Sequence, residues 1–545
     1  MGECFFGGAA DGGALWFPEH ATDTQRLFYE SVKQFCLETM GPTEDALARK
    51  DDGLARSLFQ KCAELGVFCA ELDEADGGLG FGVLDATLLG EAMGWGNSLS
   101  VGFMVHQGVG MLPVACFGDA DQRARYLPRA ASGKCIMAFA LTEAHCGSDA
   151  LALKTRAVPT ASGFRINGAK QFITNGAYAD CFITFARVPE VGVTAFLVDG
   201  RVMGVSVGPE ERKLGQHASS TCSVSYEDVD VEHDGVLGEP GQGHKIALNM
   251  LNVGRLKLAA ACVGKMKSLL PQAITYTSER RAFGHSISEF GMLRDRLARM
   301  ASLVYAAEST VYRVASAMES ALTAARGDGA VLEARDRLMV LQGFALECAL
   351  VKAFATESLG TFTDNMLQLY GGYGFSEEYP AAKAFRDARV TRLYEGTTEI
   401  CRLTAMQRLV AQLDACNPET GTPKEVFHGL LNAYVQSAGG DLKRLFVEQR
   451  HVGDFGASFE RIYAAESVTR RSSGGEGIFR DLADYFVAES TSLNLAAAHR
   501  IIGGLPSREE LDGVLQHSCF RPDDTVQLRD RIVVALVEQQ GVPGW

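Results

Sequence analysis

Two segments of this 545-residue chain carry side chains that could bind a flat, polar ligand. In the first, 139–149, the residues become small and polar, so the hydroxyls of Thr142 and Ser148 and nearby backbone N–H groups are available to a ligand. A plain solvated loop explains this segment better when it is taken alone. The second, 170–176, alternates like a strand and places Phe172 and Thr174 on one face. Those two side chains could contact a ring, although an ordinary core phenylalanine is the alternative.

Two further segments carry charged residues beside glycine. In 280–284, Arg281 follows a long helical pattern, where a guanidinium could bind phosphate or cap helix carbonyls. In 393–400, Glu395 precedes Gly396 between two helical patterns. Glu395 could act as a general base, or the following Thr397 and Glu399 could simply begin a helix.

Several function classes lack their sequence signals. The chain has no G-x-G-x-x-G, and neither Gly-Lys dipeptide is preceded by the glycine of a phosphate-binding loop. It has no C-x-x-C and no H-E-x-x-H, so no metal site is predicted. The formal charge of -15 argues against nucleic-acid binding. No run approaches 18 uninterrupted apolar residues, so a membrane-spanning helix is not expected.

The hydrophobic period changes along the chain and predicts four domains: 1–133, 134–242, 243–416 and 417–545. The first is helical, and the second has the two-residue period of strands. Asn167-Gly168 predicts a hairpin turn there, and the short strand spacing predicts an antiparallel sheet or barrel. Long helices are predicted at 245–277, 290–324 and 332–360, where a bundle is expected. A breaker-rich stretch at 417–423 separates them from a further helical region, with a weak spot at 470–477.

The order of these motifs is more specific than any one of them. Together with 368–372 and 385–389, the four segments closely resemble the acyl-CoA dehydrogenase family of flavoproteins, continuously from about residue 25 to 410. Segments 105–108, 125–128 and 251–255, with the C-terminal helical extension, look like its very-long-chain branch. The resemblance implies a mainly α fold with a central β domain and an extra C-terminal helical domain. Ala144 stands where the family usually has Pro, and Phe172 where it often has Trp.

The resemblance implies an FAD-dependent enzyme of fatty acid β-oxidation that converts long straight-chain acyl-CoA to trans-2-enoyl-CoA. Glu395 would be the base, because the position used by a related branch holds Gly254 here. Glu143 is expected to be structural. The implied FAD-binding residues are Phe139, Leu141, Thr142, Ser148, Phe172, Thr174, Arg281, Phe283, Gln368, Gly372, Thr397 and Glu399. The implied substrate-binding residues are Ser148, Asn252, Arg255 and Gly396.

Within the family, a medium- or short-chain dehydrogenase or an acyl-CoA oxidase remains an alternative. Outside it, the alternative is a non-catalytic assembly protein of the same fold. Such a protein need not keep a base, so Glu395 speaks against it.

The resemblance also implies partners. Electrons would pass to an electron-transfer flavoprotein, and a neighbouring subunit would complete the FAD site, so a homodimer is expected. Peripheral membrane contact is a further hypothesis. It rests on an apolar stripe comprising Leu442, Leu445, Phe446, Phe455, Phe459, Ile462 and Tyr463, flanked by Lys443, Arg444, Arg450, Arg461, Arg470 and Arg471. With no signal or transit peptide evident, the expected compartment is the cytoplasm of a bacterium or the mitochondrial matrix of a eukaryote.

Overall fold

The computed structural model describes residues 15–326, 332, 334–413, 423–437, 446, 449–473, 477–502 and 522–541. Its contacts divide the chain into two units. The first, here the sheet unit, comprises Thr22–Gly264 and Leu322–Gln342. The second, here the helical unit, comprises Met1–Ala21, Lys265–Ala321 and Gly343–Trp545. The predicted division into four domains stays a prediction.

The sheet unit begins with short helices whose positions follow the predicted 3.6-residue pattern. The first has a capping box at its N-terminus: Thr22 Oγ1 accepts from Gln25 N at 3.3 Å, and Gln25 Oε1 accepts from Thr22 N at 3.0 Å. Two π-helical turns, Phe35–Met40 and His106–Met111, continue helices of this region. The helices are α1 (Asp23–Gln34), α2 (Glu44–Ala48), α3 (Asp52–Glu64), α4 (Val83–Met93), α5 (Leu99–Val105), α6 (Leu112–Phe117) and α7 (Ala120–Ala131).

One eight-stranded sheet forms the rest of this unit's core. The strands are β1 (Met137–Ala140), β2 (Arg156–Pro159), β3 (Gly163–Thr174), β4 (Cys181–Val188), β5 (Gly192–Asp199), β6 (Val205–Glu210), β7 (Thr221–Glu232) and β8 (Val236–Leu237). Their order is β6-β7-β3-β2-β4-β5-β8, with β1 paired to β4. Most pairs are antiparallel, but β1–β4 and β2–β4 are parallel. The expected central β domain is therefore confirmed, but its sheet is mixed, which corrects the expectation that its strands pair only antiparallel.

The hairpin predicted at Asn167-Gly168 is wrong. Both residues lie inside β3, which pairs with β7 on either side of them. β7 carries an extra residue at this point, and Asp228 there has φ 51°. Asn167 Nδ2 donates to Asp228 Oδ1 at 3.0 Å, and Asp228 N donates to Asn167 Oδ1 at 2.9 Å. The Asn167 side-chain amide thus supplies hydrogen bonds to Asp228 at a β-bulge. Pairing along the whole strand overrides the local turn preference.

Long helices follow, and the helical unit is built mostly from them. The remaining elements are α8 (Gly243–Glu279), a hairpin of β9 (Arg281–Ala282) and β10 (His285–Ser286), α9 (Gly291–Arg326), α10 (Ala334–Gly343), α11 (Ala345–Tyr370), α12 (Pro380–Arg389), α13 (Thr398–Val410), α14 (Pro423–Ser437), α15 (Gln449–Ser472), α16 (Ile478–Ile502) and α17 (Pro522–Glu538). The predicted helix 332–360 differs, because the chain breaks at Phe344 and the second helix continues to Tyr370. The predicted boundary at 417–423 lies mainly outside the described residues.

The apolar stripe of α15 faces the protein interior. Phe455, Phe459, Ile462 and Tyr463 are all buried, and Phe459 is 0% exposed. Three of the flanking cations have partners within the protein, since Arg461 Nε donates to Asn494 Oδ1 at 2.8 Å, Arg470 pairs with Glu466 and Arg471 pairs with Glu308. The hypothesis that these residues form a membrane-facing stripe is therefore wrong. Leu442, Lys443, Arg444 and Leu445 lie outside the described residues, as do 474–476 within the predicted weak spot.

Some helical segments are long and apolar enough to cross a membrane by composition. These are Leu99–Phe117 and Gly243–Glu279, and 78% of each apolar window is buried inside the protein. The bent pair Arg337–Gly343 and Ala345–Phe375 passes the same test when taken together. The apolar side chains of the two unbent segments therefore pack mainly inside the protein.

Each unit contains one of the described tryptophans. In the helical unit, Trp16 N donates to Ser316 Oγ at 3.1 Å, and the ring centroid of Trp16 lies 5.4 Å from that of Tyr312. In the sheet unit, Trp95 Nε1 donates to the Tyr29 hydroxyl at 3.0 Å. The two indoles therefore have distinct, ordered surroundings.

Candidate functional site

The loop after β1 is held by a buried carboxylate. Glu143 Oε1 accepts from Lys170 Nζ at 2.8 Å and from Thr155 N at 3.1 Å, while Oε2 accepts from Lys154 N at 2.7 Å. Burial alone would raise the pKa of this carboxyl, but the hydrogen bonds from Lys170 and Thr155 lower the pKa to about 2. Lys170 Nζ also donates to Leu141 O at 3.1 Å. These contacts agree with a structural role for Glu143.

Glu143, His145 and Cys146 also lie close enough to hold a metal ion, with ligand atoms within 4.8 Å of one another. The ammonium of Lys170 already neutralises the carboxylate, so a metal ion would meet a like charge there. These three residues are better explained as a loop closure, in which Glu143 N donates to Cys146 O at 3.1 Å.

The two polar segments of the sheet unit are joined directly. Gln171 N donates to Thr142 O at 2.9 Å, which ties β3 to the loop after β1. Phe139 and Thr142 are half-buried, Leu141 is buried, and Ser148 is exposed. The structure therefore brings the first and second predicted segments together.

Phe172 projects from a second β-bulge. Between Lys170 and Ile173, β3 has one more residue than β7, and Phe172 has φ 58°. A left-handed conformation is costly for a bulky residue, so its retention indicates a constraint at this position. The Phe172 side chain is 62% exposed, whereas Ile173 is buried. An aromatic face is thus held outward near the end of β3, although the bulge interrupts the strict two-residue alternation that predicted Phe172 and Thr174 on one face.

Two predicted substrate residues lie on α8. Asn252 and Arg255 are both buried, and Arg255 Nη1 donates to Asn252 Oδ1 at 3.2 Å. Their spacing of three residues places them on one face of the helix. Gly254, between them, is half-buried.

In the helical unit, Glu395 sits in a left-handed loop before α13. Its φ is 58° and that of Gly396 is 91°. Lys352 Nζ donates to Gly396 O at 2.6 Å, which fixes the loop to α11. Glu395 is half-buried. A non-glycine residue in this conformation, secured by a neighbouring cation, is a feature of functional sites.

Thr397 and Glu399 do begin a helix. Thr397 Oγ1 accepts from Ile400 N at 3.3 Å and so caps α13. Glu399 lies in the first turn and is exposed. The backbone N–H of Glu399, followed by the Thr397 side chain, lowers the pKa of the Glu399 carboxyl. Any contact of these two residues with a cofactor stays a prediction.

The remaining predicted residues lie on an exposed part of the helical unit. Among the described contacts, Arg281 Nη2 donates to Gly284 O at 3.3 Å rather than to a carbonyl of α8, so the capping alternative is wrong. Phe283, at the tip of the β9–β10 hairpin, has φ 54° and is 93% exposed. The Phe283 ring packs edge-on against that of Phe290, with ring centroids 6.1 Å apart, and the rest of its surface faces solvent.

The ends of α8 and α11 lie together near this hairpin. The rings of Tyr276 and Tyr370 stack with centroids 4.0 Å apart. Tyr276 OH donates to Tyr370 O at 3.1 Å. Gln368, in the last turn of α11, and Gly372, in the following 3₁₀ turn, are exposed. The stacked tyrosines therefore join the element preceding Arg281 to the element carrying Gln368.

Three family models match consecutive parts of the chain. They are the acyl-CoA dehydrogenase N-terminal domain at residues 22–134, the middle domain at 138–229 and the C-terminal domain at 241–410. The matches begin near the first helix and end at the last residue of α13.

Individual relatives agree with these models. An acyl-CoA dehydrogenase of Bacillus subtilis is 33% identical over 396 residues, covering 72% of this chain and 99% of the relative. The very long-chain specific acyl-CoA dehydrogenase, mitochondrial, of Bos taurus is 36% identical over 395 residues, covering 69% of this chain. The match spans only 57% of that relative's length.

A solved structure extends the likeness beyond the family models. The acyl-CoA dehydrogenase complexed with FAD from Bacillus anthracis has a TM-score of 0.89 and 29% identity. It covers 96% of this chain and 97% of that chain.

Proposed function

The chain belongs to the acyl-CoA dehydrogenase family, and we propose that it is an FAD-dependent enzyme that converts acyl-CoA thioesters to trans-2-enoyl-CoA. The observation that carries the proposal is Glu395, a half-buried carboxylate in a left-handed loop at the position of the family's base. A protein that only used the fold for assembly would have no need to hold a carboxylate in this costly conformation.

The sheet unit fits a flavin. Phe172 offers an exposed aromatic face at the end of β3, and Thr142 offers a half-buried hydroxyl and backbone groups beside it. The charge of Glu143 is neutralised by Lys170, so the loop does not repel an anionic cofactor. We assign Phe139, Leu141, Thr142, Ser148, Phe172 and Thr174 to this part of the cofactor. FAD, when bound, supplies the acceptor for the hydride that leaves the substrate β-carbon.

Glu395 removes the α-proton in this proposal. Its carboxylate accepts the proton while its backbone N–H donates to the thioester carbonyl oxygen, where negative charge develops. The loop is fixed from both sides, because Lys352 binds Gly396 O and Thr397 caps α13. A fixed base needs little reorganisation during proton transfer.

The proposed substrate is a long straight-chain acyl-CoA, and the proposed electron acceptor is an electron-transfer flavoprotein. The likeness to a very long-chain specific relative supports the chain length. Asn252 and Arg255 form a buried polar pair that can orient the thioester end of the substrate, together with Ser148 and Gly396.

The proposed assembly is a homodimer. Arg281, Phe283, Gln368 and Gly372 would hold the FAD of a neighbouring subunit, with Thr397 and Glu399 contacting the same dinucleotide. The exposure of Phe283 supports this assignment, because an apolar ring at a hairpin tip is stabilised when a second chain covers it.

Anaerobic titration of the purified protein with acyl-CoA substrates of increasing chain length tests the proposal. We expect a yellow protein whose flavin absorbance is bleached, fastest with long chains. Glu395→Gln keeps size and polarity but removes the proton acceptor, so bleaching should slow by about 10²–10⁴-fold while FAD stays bound. The matched control is Glu538→Gln, an exposed glutamate at the end of α17. A colourless protein that takes up no FAD, or normal bleaching by Glu395→Gln, would refute the proposal.

A further inference from the structure

Two buried side chains form hydrogen bonds with the backbone of Met137 at the start of β1. Met137 N donates to His106 Nδ1 at 3.1 Å, and Met137 O accepts from Asn175 Nδ2 at 3.3 Å. Among the described residues β1 pairs with β4 alone, which leaves backbone groups on its other side without a strand partner. Buried backbone groups need hydrogen-bond partners, and these two side chains supply them.

The contacts of His106 define its tautomer. His106 is fully buried, and its Nε2 lies 3.1 Å from Ala130 O, an acceptor. Nε2 therefore carries the proton, and Nδ1 is free to accept from Met137 N. His106 also begins the π-helical turn His106–Met111, a distortion that is frequent at functional sites.

Asn175 makes the matching contacts from the end of β3. It is fully buried, and its φ of 66° is one that asparagine tolerates better than most residues. Its Nδ2 donates to Gly102 O at 2.9 Å as well as to Met137 O. A Cβ at Gly102 would lie 2.6 Å from Asn175 Oδ1, so α5 can approach this closely only with glycine.

The contacts of His106 and Asn175 with the backbone of Met137, here called the clamp, lie next to both segments assigned to the flavin. Phe139 follows Met137 by two residues on β1, and Asn175 directly follows Thr174 on β3. We propose that His106 and Asn175 are positioning residues that fix β1 and the end of β3 in the relative position needed to bind FAD. The inference rests on the proposed function, because it takes the FAD assignment of Phe139, Thr142 and Thr174 as given.

Two substitutions of His106 separate its two hydrogen bonds. In His106→Asn the amide overlies the Nδ1 side of the ring and keeps an acceptor for Met137 N. In His106→Gln the amide overlies the Nε2 side, keeps the donor for Ala130 O and leaves Met137 N without its acceptor. We expect His106→Gln to weaken FAD binding by at least about tenfold and to shift the visible flavin band. We expect His106→Asn to keep the FAD affinity and the flavin band of the wild type.

The measurement is titration of apoprotein with FAD, followed by flavin fluorescence and absorbance, beside thermal unfolding of each apoprotein. Gln107→Leu is the control, because Gln107 is the next buried residue of the same turn and donates to Val67 O at 2.8 Å, not to β1. We expect this control to lower the unfolding temperature yet leave FAD affinity within about threefold of wild type. Equal loss of FAD affinity in Gln107→Leu would overturn the inference.

Other outcomes are equally decisive. If His106→Gln does not fold, Asn175→Gly replaces it, since glycine keeps the left-handed φ and removes only the amide. The same tenfold loss is expected, and unchanged FAD affinity there would overturn the inference. If the wild-type protein binds FAD and the variants bind it equally well, only the positioning role of His106 and Asn175 is refuted. Wild type that binds no FAD refutes the proposed function and the clamp together.

Discussion

Lys170 Nζ lies 2.8 Å from Glu143 Oε1, and both side chains are almost completely shielded from solvent. The pair connects β3 to the loop after β1, so a structural ion pair joins the two segments whose residues are assigned to the flavin. Its charges stabilise each other in a region of low dielectric constant, so removal of one partner leaves an uncompensated buried charge.

Lys170→Met should therefore lower the free energy of unfolding by about 3–5 kcal/mol. The double variant Glu143→Gln with Lys170→Met should lose less than the sum of the two single variants, because it leaves no buried charge. Urea denaturation measures each value. Arg165→Ala breaks the exposed pair with Asp230 and serves as the control, with an expected loss below about 1 kcal/mol. Additive losses in the double variant would contradict the interpretation.

Glu143 also predicts how stability depends on acidity. Its pKa is about 2 in the folded protein, below the ordinary value of 4.5. The unfolded state therefore binds more protons between these values, and the contribution of Glu143 is fully present above pH 4.5 and is lost as the pH falls toward 2. The free energy of unfolding of Glu143→Gln should vary less across this range than that of wild type.

His106 predicts a separate effect at milder pH. Burial lowers its pKa from 6.5 to about 4, so the folded protein resists protonation. This contribution is fully present above pH 6.5 and declines as the pH falls toward 4, by up to about 3 kcal/mol. The test is the free energy of unfolding of His106→Asn measured between pH 7 and pH 4. If it falls with decreasing pH as steeply as that of wild type, His106 is not the source of the pH dependence.

A second buried carboxylate, Glu308, joins α9 to α15. Glu308 Oε2 lies 2.8 Å from Arg471 Nη1, and Lys267 pairs with the other oxygen. Glu308→Leu would leave two cations facing each other in the core, so we expect a loss of about 3–5 kcal/mol or more in urea denaturation. Arg480→Ala, which breaks an exposed pair with Asp484, should cost less than about 1 kcal/mol.

The exposed ring of Phe283 predicts the effect of a charge at the proposed subunit interface. Phe283→Asp should sediment as a folded monomer and lose FAD, because the side chain is 93% exposed and its replacement disturbs no internal packing. Its unfolding temperature should fall only by the stabilisation that bound FAD and the second subunit provide. Met203→Asp is the control, since Met203 is equally exposed on the sheet unit. Sedimentation of Phe283→Asp as a dimer would refute the role of this hairpin.

Local patterns predicted most individual elements. The helices predicted at 245–277 and 290–324 agree with α8 and α9 to within two residues at each end, because both depend on the hydrophobic period within the segment. Pairing between distant strands left no such signal. The parallel alignment of β1 with β4 and the bulge at Asn167 depend on residues far away in sequence, so local turn propensity gave the wrong answer there.

The candidate site was predictable to a similar extent. Glu395 and Gly396 lie between two helical patterns in the sequence, and the left-handed backbone of Glu395 agrees with a break in the helix there. The clamp on Met137 was not predictable from spacing, because His106 and Asn175 lie 69 residues apart and meet only through the backbone of a third element. In the sequence, the segment containing His106 shows only a resemblance to one branch of the family.

The placement of Trp16 and Trp95 gives each unit a natural optical reporter. Trp16 contacts Tyr312 in the helical unit, and Trp95 contacts Tyr29 in the sheet unit. With Trp545, which lies outside the described residues, replaced by Phe, a single further exchange of Trp16 or Trp95 leaves one indole emitting. The order in which the two units lose structure in denaturant can then be followed by fluorescence, without an attached dye.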